Sequence, residues 1–293
     1  MPSLTAGTAP SHMKGKRRTS KASWVSEMGQ VSKVSQTPQK AHPSEKPNSC
    51  THSSTSHGPS TKGNVHHVAD SSGRKKGEIT AEDRRFSSQN EYPARFTVKE
   101  IQVNIGLWVC LACPSSVSKC KDCKQHEGHE DSLIIGIHGE CVNGKMGMRS
   151  AIGLYWGYGN NGNVSWEIPS KDSQTKQVAE LTACLRALRN ATSILEKRRS
   201  IMRKGKSLTP LNTFVIKSDS EYLVRSLTEW LPKWKANGWK TCKGVPVANA
   251  DKFQLIETGI AMLEVMVNVK FWLVPKEDNM EASLLAKRAL VEY

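Results

Sequence analysis

Between residues 133 and 168 the chain holds three apolar stretches separated by turn residues, and at Lys176 the spacing of its apolar residues changes. Leu133-Ile134-Ile135-Gly136-Ile137 is a continuous apolar run, the pattern of a strand buried on both faces. Residues 151–156 and 164–168 read as two more strands, with Gly157, Gly159, Asn160, Asn161 and Gly162 marking the turn between them. Three strands joined by turns predict an antiparallel meander. From 176 to 198, Val178, Leu181, Leu185 and Leu188 recur at three- and four-residue spacing, which predicts an amphipathic helix. A strand over 213–217, a helix over 220–227, a Trp-, Lys- and Gly-rich segment over 230–249, a helix over 250–265, a strand over 269–274 and a helix over 280–290 follow. The expected fold is α/β: a mixed five-stranded sheet flanked by helices, in βββαβαβα order with one extra helix before the last strand.

The first 92 residues carry no such pattern. They are rich in Ser, Thr, Lys, His and Pro, and offer too little apolar surface to offset the entropy of ordering, so 1–92 is expected to be a disordered tail. Residues 1–90 hold 14 Lys and Arg against 6 Asp and Glu, in a chain of 293 residues with 42 against 27 and a net charge of +15. The clusters Lys14-Gly15-Lys16-Arg17-Arg18 and Arg74-Lys75-Lys76 suit nuclear import or attraction to phosphate, and equally a plain solvated tail. No acid precedes Glu27, which keeps a mitochondrial presequence open. No apolar run approaches the roughly 18–20 residues that span a bilayer. The N-terminus also lacks the apolar centre of a secretory signal. The expectation is an intracellular protein, nuclear before mitochondrial or cytoplasmic, with no membrane partner. Its positive excess favours an anionic partner, nucleic acid first.

Eight cysteines in a chain without a secretion signal read as thiols or metal ligands rather than a disulfide framework. Cys110-x-x-Cys113 and Cys120-x-x-Cys123 fall within fourteen residues, with His126 and His129 just beyond. Two such knuckles supply four thiolates to a tetrahedral structural zinc. The six residues between the pairs are fewer than in the usual zinc ribbon, and four unliganded thiols are the other reading. The chain thus divides into a tail (1–92), a short Cys-bearing segment with one or two strands (93–131) and an α/β domain (132–293).

The words AIGLYWG, QTKQVAEL, IKSDSEYLV, EWLPKWKANGWKTCKGVPVAN, VKFWLVP and EASLLAKRAL carry a resemblance across about 133–290. Over that span the chain resembles the type 1 ribonuclease H family. The resemblance implies that fold, and hydrolysis of the RNA strand of RNA–DNA hybrids with Mg²⁺ or Mn²⁺ as cofactor. Such chemistry uses two divalent ions about 3.5–4 Å apart, and clustered carboxylates must offset their mutual repulsion. The family supplies four acids. Glu180 matches the one on the first helix and Asp219 the one ending the fourth strand, so these two are the expected Mg²⁺ ligands. His138 stands where the family has its first Asp, and Ser283 where it has its last. Glu140, two residues beyond His138, shares its face if the strand continues and is a candidate substitute. Taken alone, Glu180 reads as a surface residue favourable to a helix N-terminus, and Asp219 as a helix cap.

The resemblance also implies a substrate surface. Trp230 and Trp234 match a tryptophan pair lining a channel for the DNA strand, and Thr175 and Asn249 match residues that grip a DNA phosphate. Lys235 and Lys240 interleave with the tryptophans, suiting stacking and phosphate neutralisation. Cys141 and Asn143 are expected to approach the RNA 2′-hydroxyls. With two acids of four replaced, the expected function is binding of RNA–DNA hybrid or structured RNA with weak or lost cleavage. The alternatives are an active Mg²⁺-dependent hybrid ribonuclease and a zinc-knuckle interaction protein.

Overall fold

A computed structural model of the chain describes residues 80–291, apart from 122, 146 and 206. In chain order a 3₁₀ turn (Glu82–Arg84) and a short helix α1 (Ser88–Glu91) lead to the hairpin β1 (Gln102–Ile105) and β2 (Trp108–Ala112). The meander follows as β3 (Gly128–Gly144), β4 (Gly147–Tyr155) and β5 (Val164–Glu167). Next come helix α2 (Lys176–Arg203), strand β6 (Thr213–Ser218), and helix α3 (Glu221–Arg225) running through a π-helical turn (Ser226–Trp230) into α4 (Leu231–Ala236). Helix α5 (Ala250–Glu264), strand β7 (Asn268–Leu273), a 3₁₀ turn (Lys276–Asp278) and helix α6 (Met280–Arg288) complete it.

The sheet has seven strands in the order β1-β2-β3-β4-β5, with β6 and then β7 on the other flank of β3. Five are the expected strands; β1 and β2 are the strands expected in the Cys-bearing segment, and β2 itself contains Cys110. β3 is long enough to hold two partners along one edge. Its first half pairs antiparallel with β2 and its second half with β4, while β6 runs parallel along the opposite edge from Ser132 to Ile137. A strand flanked on both sides must be apolar on both faces, and β3 is buried without a break from Ser132 to Gly139.

Two cores result. Ile135, Ile137, Ile152, Leu154, Phe214 and Ile216 face α2 and α5. On the other face, Ile134, Val215, Trp272 and Val274 pack against Phe86, Tyr92, Phe96, Ile101 and Val103. Of the segment expected as a tail, residues 80–92 are therefore folded: Phe86 and Tyr92 are buried, and Arg84 makes a paired ion bridge to Glu264 at 2.7 and 2.8 Å. The rest of that expectation, the basic clusters included, lies outside the described residues.

Two glycines set how closely helices approach the sheet. A Cβ on Gly139 would lie 2.3 Å from the backbone nitrogen of Glu180, and one on Gly153 would lie 2.0 Å from the carbonyl oxygen of Ala282. Their bare backbones let α2 and α6 seat directly on β3 and β4. That seating carries Glu180 and Ser283 to the end of the sheet where β6 stops.

Candidate active site

β6 ends at Ser218, and Asp219 follows it as the chain leaves the sheet. The cap of α3 is Ser220, whose hydroxyl accepts from the Leu223 amide at 3.2 Å, so Asp219 is released from capping. Across the β3–β6 pair lies His138, fully buried. Its Nδ1 is 2.9 Å from Asp219 Oδ1 and its Nε2 is 3.4 Å from Glu140 Oε2. Glu140 does share the face of His138, as strand alternation requires. Asn279, at the start of α6, donates from Nδ2 to Asp219 Oδ1 at 2.7 Å and to the Ile137 carbonyl at 2.9 Å. This residue escapes sequence reasoning; the only sign of it is an amide side chain just ahead of a helix.

Glu180 is 2% exposed, which disposes of a surface role. Neither of its carboxylate oxygens has a hydrogen-bond partner; the Gly139 amide is near enough to favour the ionised form without reaching bonding geometry. The hydroxyl of Ser283 and Oδ1 of Asn279 are likewise buried and unpartnered. Burial pushes the Glu180 carboxyl up to about 8, only partly opposed by His138. Burial also works against an imidazolium at His138. The hydrogen bond His138 makes to Asp219 and the charges of Glu180, Asp219 and Glu140 outweigh it, holding the imidazole above its ordinary pKa. Asp219 is held below the usual range: burial raises it, but the bonds from His138 and Asn279 prevail. Glu281, Asp278 and Asp219 act on Lys217, a buried lysine near the end of β6 that donates to Gln102 Oε1 and the Asp278 carbonyl.

These donors do not fit a pair of Mg²⁺ ions. The imidazole ring engages Asp219 on one side and Glu140 on the other, Glu180 is biased toward its neutral form, and Ser283 offers a hydroxyl where an anion is needed. Among the described residues no group of three or more His, Cys, Asp or Glu is disposed to hold a metal. The arrangement is instead an acid–imidazole–acid chain with its imidazole fully buried and its two acids partly exposed.

The expected substrate surface is partly used for packing. Trp230 and Trp234 have ring centroids 5.9 Å apart, and the Arg225 guanidinium lies 5.3 Å above Trp230. Trp234 packs edge-on to Phe253 at 5.1 Å, and Trp239 also rests on the core. Trp239 and Asn249 both adopt left-handed backbone, at φ 60° and 57°, bracketing the loop between α4 and α5. Such backbone is unfavourable for these residues and is held here by bonds from the Trp239 amide to Trp234 O (2.7 Å) and from the Val247 amide to Trp239 O (2.9 Å). Lys235 is tied to Glu257 at 2.6 Å, while Lys240 and Asn143 are exposed. Thr175 caps α2, accepting from the Val178 amide at 3.2 Å, and Cys141 Sγ lies 3.6 Å from the Gln174 carbonyl.

The zinc expectation is not supported. Cys110 lies on β2 rather than in a knuckle, and extended backbone turns residues three apart to opposite sides. Cys110 is buried beside Trp108 and Leu133, its thiol pushed up to about 11 by burial, while Cys120 and Cys123 line a separate groove beside Ser116 and His126. The His126 ring is spent on Phe96, 4.4 Å away.

A mixed sheet with β3 between an antiparallel and a parallel neighbour, and acids where β3, β6 and the first long helix meet, defines an α/β domain of the ribonuclease H type. The RNase H family model matches residues 138–290, and the chain belongs to that family. It is 34% identical to human ribonuclease H1 over 128 residues, which is 43% of this chain and 39% of the human protein. It is 32% identical to the ribonuclease H of Schizosaccharomyces pombe over 165 residues, 55% of this chain and 54% of that one. The chain therefore matches only about two fifths to one half of these relatives' length. Among solved structures, the RNase H domain of PFV aligns with 53% of this chain and 92% of its own, at 20% identity and a TM-score of 0.38.

Proposed function

We propose that this chain binds RNA–DNA hybrids through its RNase H-type domain and cleaves them weakly or not at all. The observation that carries this reading is the buried His138 ring bonded to Asp219 on one side and Glu140 on the other. Family membership and the relatives' ribonuclease activity support the substrate class, and the excess of positive charge supports an anionic partner. Hybrid cleavage in Mg²⁺ and in Mn²⁺ tests it. The wild type is expected to bind hybrid with little product formed. His138→Asp combined with Ser283→Asp is expected to raise Mg²⁺-dependent cleavage by orders of magnitude at similar hybrid affinity. Efficient cleavage by the wild type, abolished in Glu180→Gln/Asp219→Asn, would reverse the conclusion.

A second reading, an active metal-dependent hybrid ribonuclease, draws on the unpartnered oxygens of Glu180, Ser283 and Asn279. Buried polar atoms normally find partners, and four left without one at this end of the sheet suit a bound guest. The same assay separates the two. A nuclear location and a recruiting role for the Cys-bearing segment stand as lesser proposals, open to imaging of a tagged chain and to elemental analysis for zinc.

A further inference from the structure

Away from the candidate active site, a cavity of about 430 Å³ lies between the β1–β2 hairpin, β3 and the second half of α2. That is within the range of about 300–1,000 Å³ typical of small-molecule sites. Its inner wall is apolar: Trp108, Leu133, Ile194 and Leu211. Opposite it lie polar groups, among them Glu130, Ser132, Arg198, Ser207 and Thr209. Arg198 donates from Nη2 to the Thr209 carbonyl at 2.7 Å, which pins the guanidinium, while its Nε–H is buried with no partner. Glu130 stands at the rim, holding one weak contact from the Thr209 hydroxyl at 3.3 Å and keeping acceptor capacity to spare. Eighteen residues of helix separate Arg198 from Glu180, about 27 Å along the axis, so the cavity is a separate place on the molecule.

A buried guanidine N–H without a partner is the feature a folded chain avoids. Here it lies beside an aromatic side chain and a carboxylate in one cavity. Arg198 and Glu130 are the two charged side chains that line the cavity, one of each sign. The cavity therefore suits a guest with no net charge. Such a guest would be flat enough to lie on Trp108, with an acceptor for Arg198 and a donor for Glu130. Guanine sets O6 and N7 on one edge, the pair that arginine reads, and places its ring N–H and amino donors on the adjoining edge. We propose that this cavity is a binding site for a purine nucleoside of the guanine type, held by Arg198 and Glu130 and stacked on Trp108. It stands independently of the hybrid-binding reading.

Titration of the full chain with guanosine, followed by tryptophan fluorescence and by calorimetry, tests the assignment, with adenosine and indole as comparison ligands. Guanosine is expected to saturate with a dissociation constant below ~1 mM. Arg198→Met is expected to weaken it about tenfold, the loss of one hydrogen bond to a charged group. Glu130→Ala, at an exposed position that leaves the core untouched, is expected to weaken guanosine severalfold and leave indole unchanged. Adenosine, which lacks O6 and the ring N–H, is expected to bind more weakly than guanosine. The proposal is overturned by an absence of saturable guanosine binding, by equal affinity for indole, or by guanosine affinity unmoved in Glu130→Ala whether or not Arg198→Met folds.

Discussion

At the scale of residues, Glu180, His138 and Asp219 make stability depend on pH in two opposed ways. Glu180 holds its proton in the folded state up to about 8, whereas an unfolded chain releases it near 4.5. The folded form binds more protons between those values, so stability falls as pH rises from 4.5 toward 8. His138, with a raised folded pKa, adds stability that is full below its ordinary 6.5 and lost as pH climbs through its folded value. Asp219 works the other way: its depressed pKa gives stability present above 3.8 and lost as pH falls through the folded value. Melting temperature is expected to peak in mildly acidic solution and decline toward pH 8. Glu180→Gln removes the ionisation and is expected to flatten that decline, and an unchanged slope would count against the buried, unpartnered carboxyl. Glu180 and Asp219 are legible in the sequence because local words frame them, and Glu140 because strand alternation relates it to His138. Asn279 is not legible, since its role depends on α6 being delivered against the end of β6 by a chain path no local pattern encodes.

Among elements, the helices facing the sheet depend on two missing side chains. Gly139→Ala and Gly153→Ala would drive a methyl into backbone atoms of α2 and α6, and backbone cannot step aside as a flexible side chain can. Each is expected to cost at least about 1–3 kcal/mol, the range for overpacked cores, measured by urea denaturation. The segment through α4 makes a different prediction. Trp230→Ala should weaken hybrid binding by about 1–3 kcal/mol if it stacks on nucleic acid. Trp234→Ala should lower folding stability as well, because Trp234 also packs on Phe253. Comparing affinity with melting temperature in the two variants separates these roles. Periodicity is enough to place the strands and long helices, since each buries one patterned face. It fails at Cys110-x-x-Cys113, where spacing suggests a knuckle but Trp108, Val109 and Leu111 build a strand. A four-residue motif does not overrule the pairing demand of the strand beside it.

For the whole molecule, the family match begins at residue 138, yet the back of the sheet is covered by residues before it. Phe86, Tyr92, Phe96, Ile101 and Val103 shield Val215, Trp272 and Val274, and Arg84 and Phe86 bind Glu264 and the Phe271 carbonyl. A chain shortened to begin at residue 128 is expected to lose solubility and cooperative unfolding through the apolar face it uncovers, as read by sedimentation and thermal melts. Hybrid affinity of the full chain is expected to fall steeply with salt, log K declining linearly with log salt concentration as phosphate contacts release counterions. An affinity independent of salt would remove the electrostatic basis for nucleic-acid binding.

The hairpin and β4 share one edge of β3 end to end, joined where the Val109 amide meets the Trp156 carbonyl at 2.9 Å. Residues 134–137 thus sit beneath that junction while β6 grips them from behind, so no single peripheral piece can peel away and free their amides. In deuterium these few protons should be the last to wash out, released only when the entire fold opens at once.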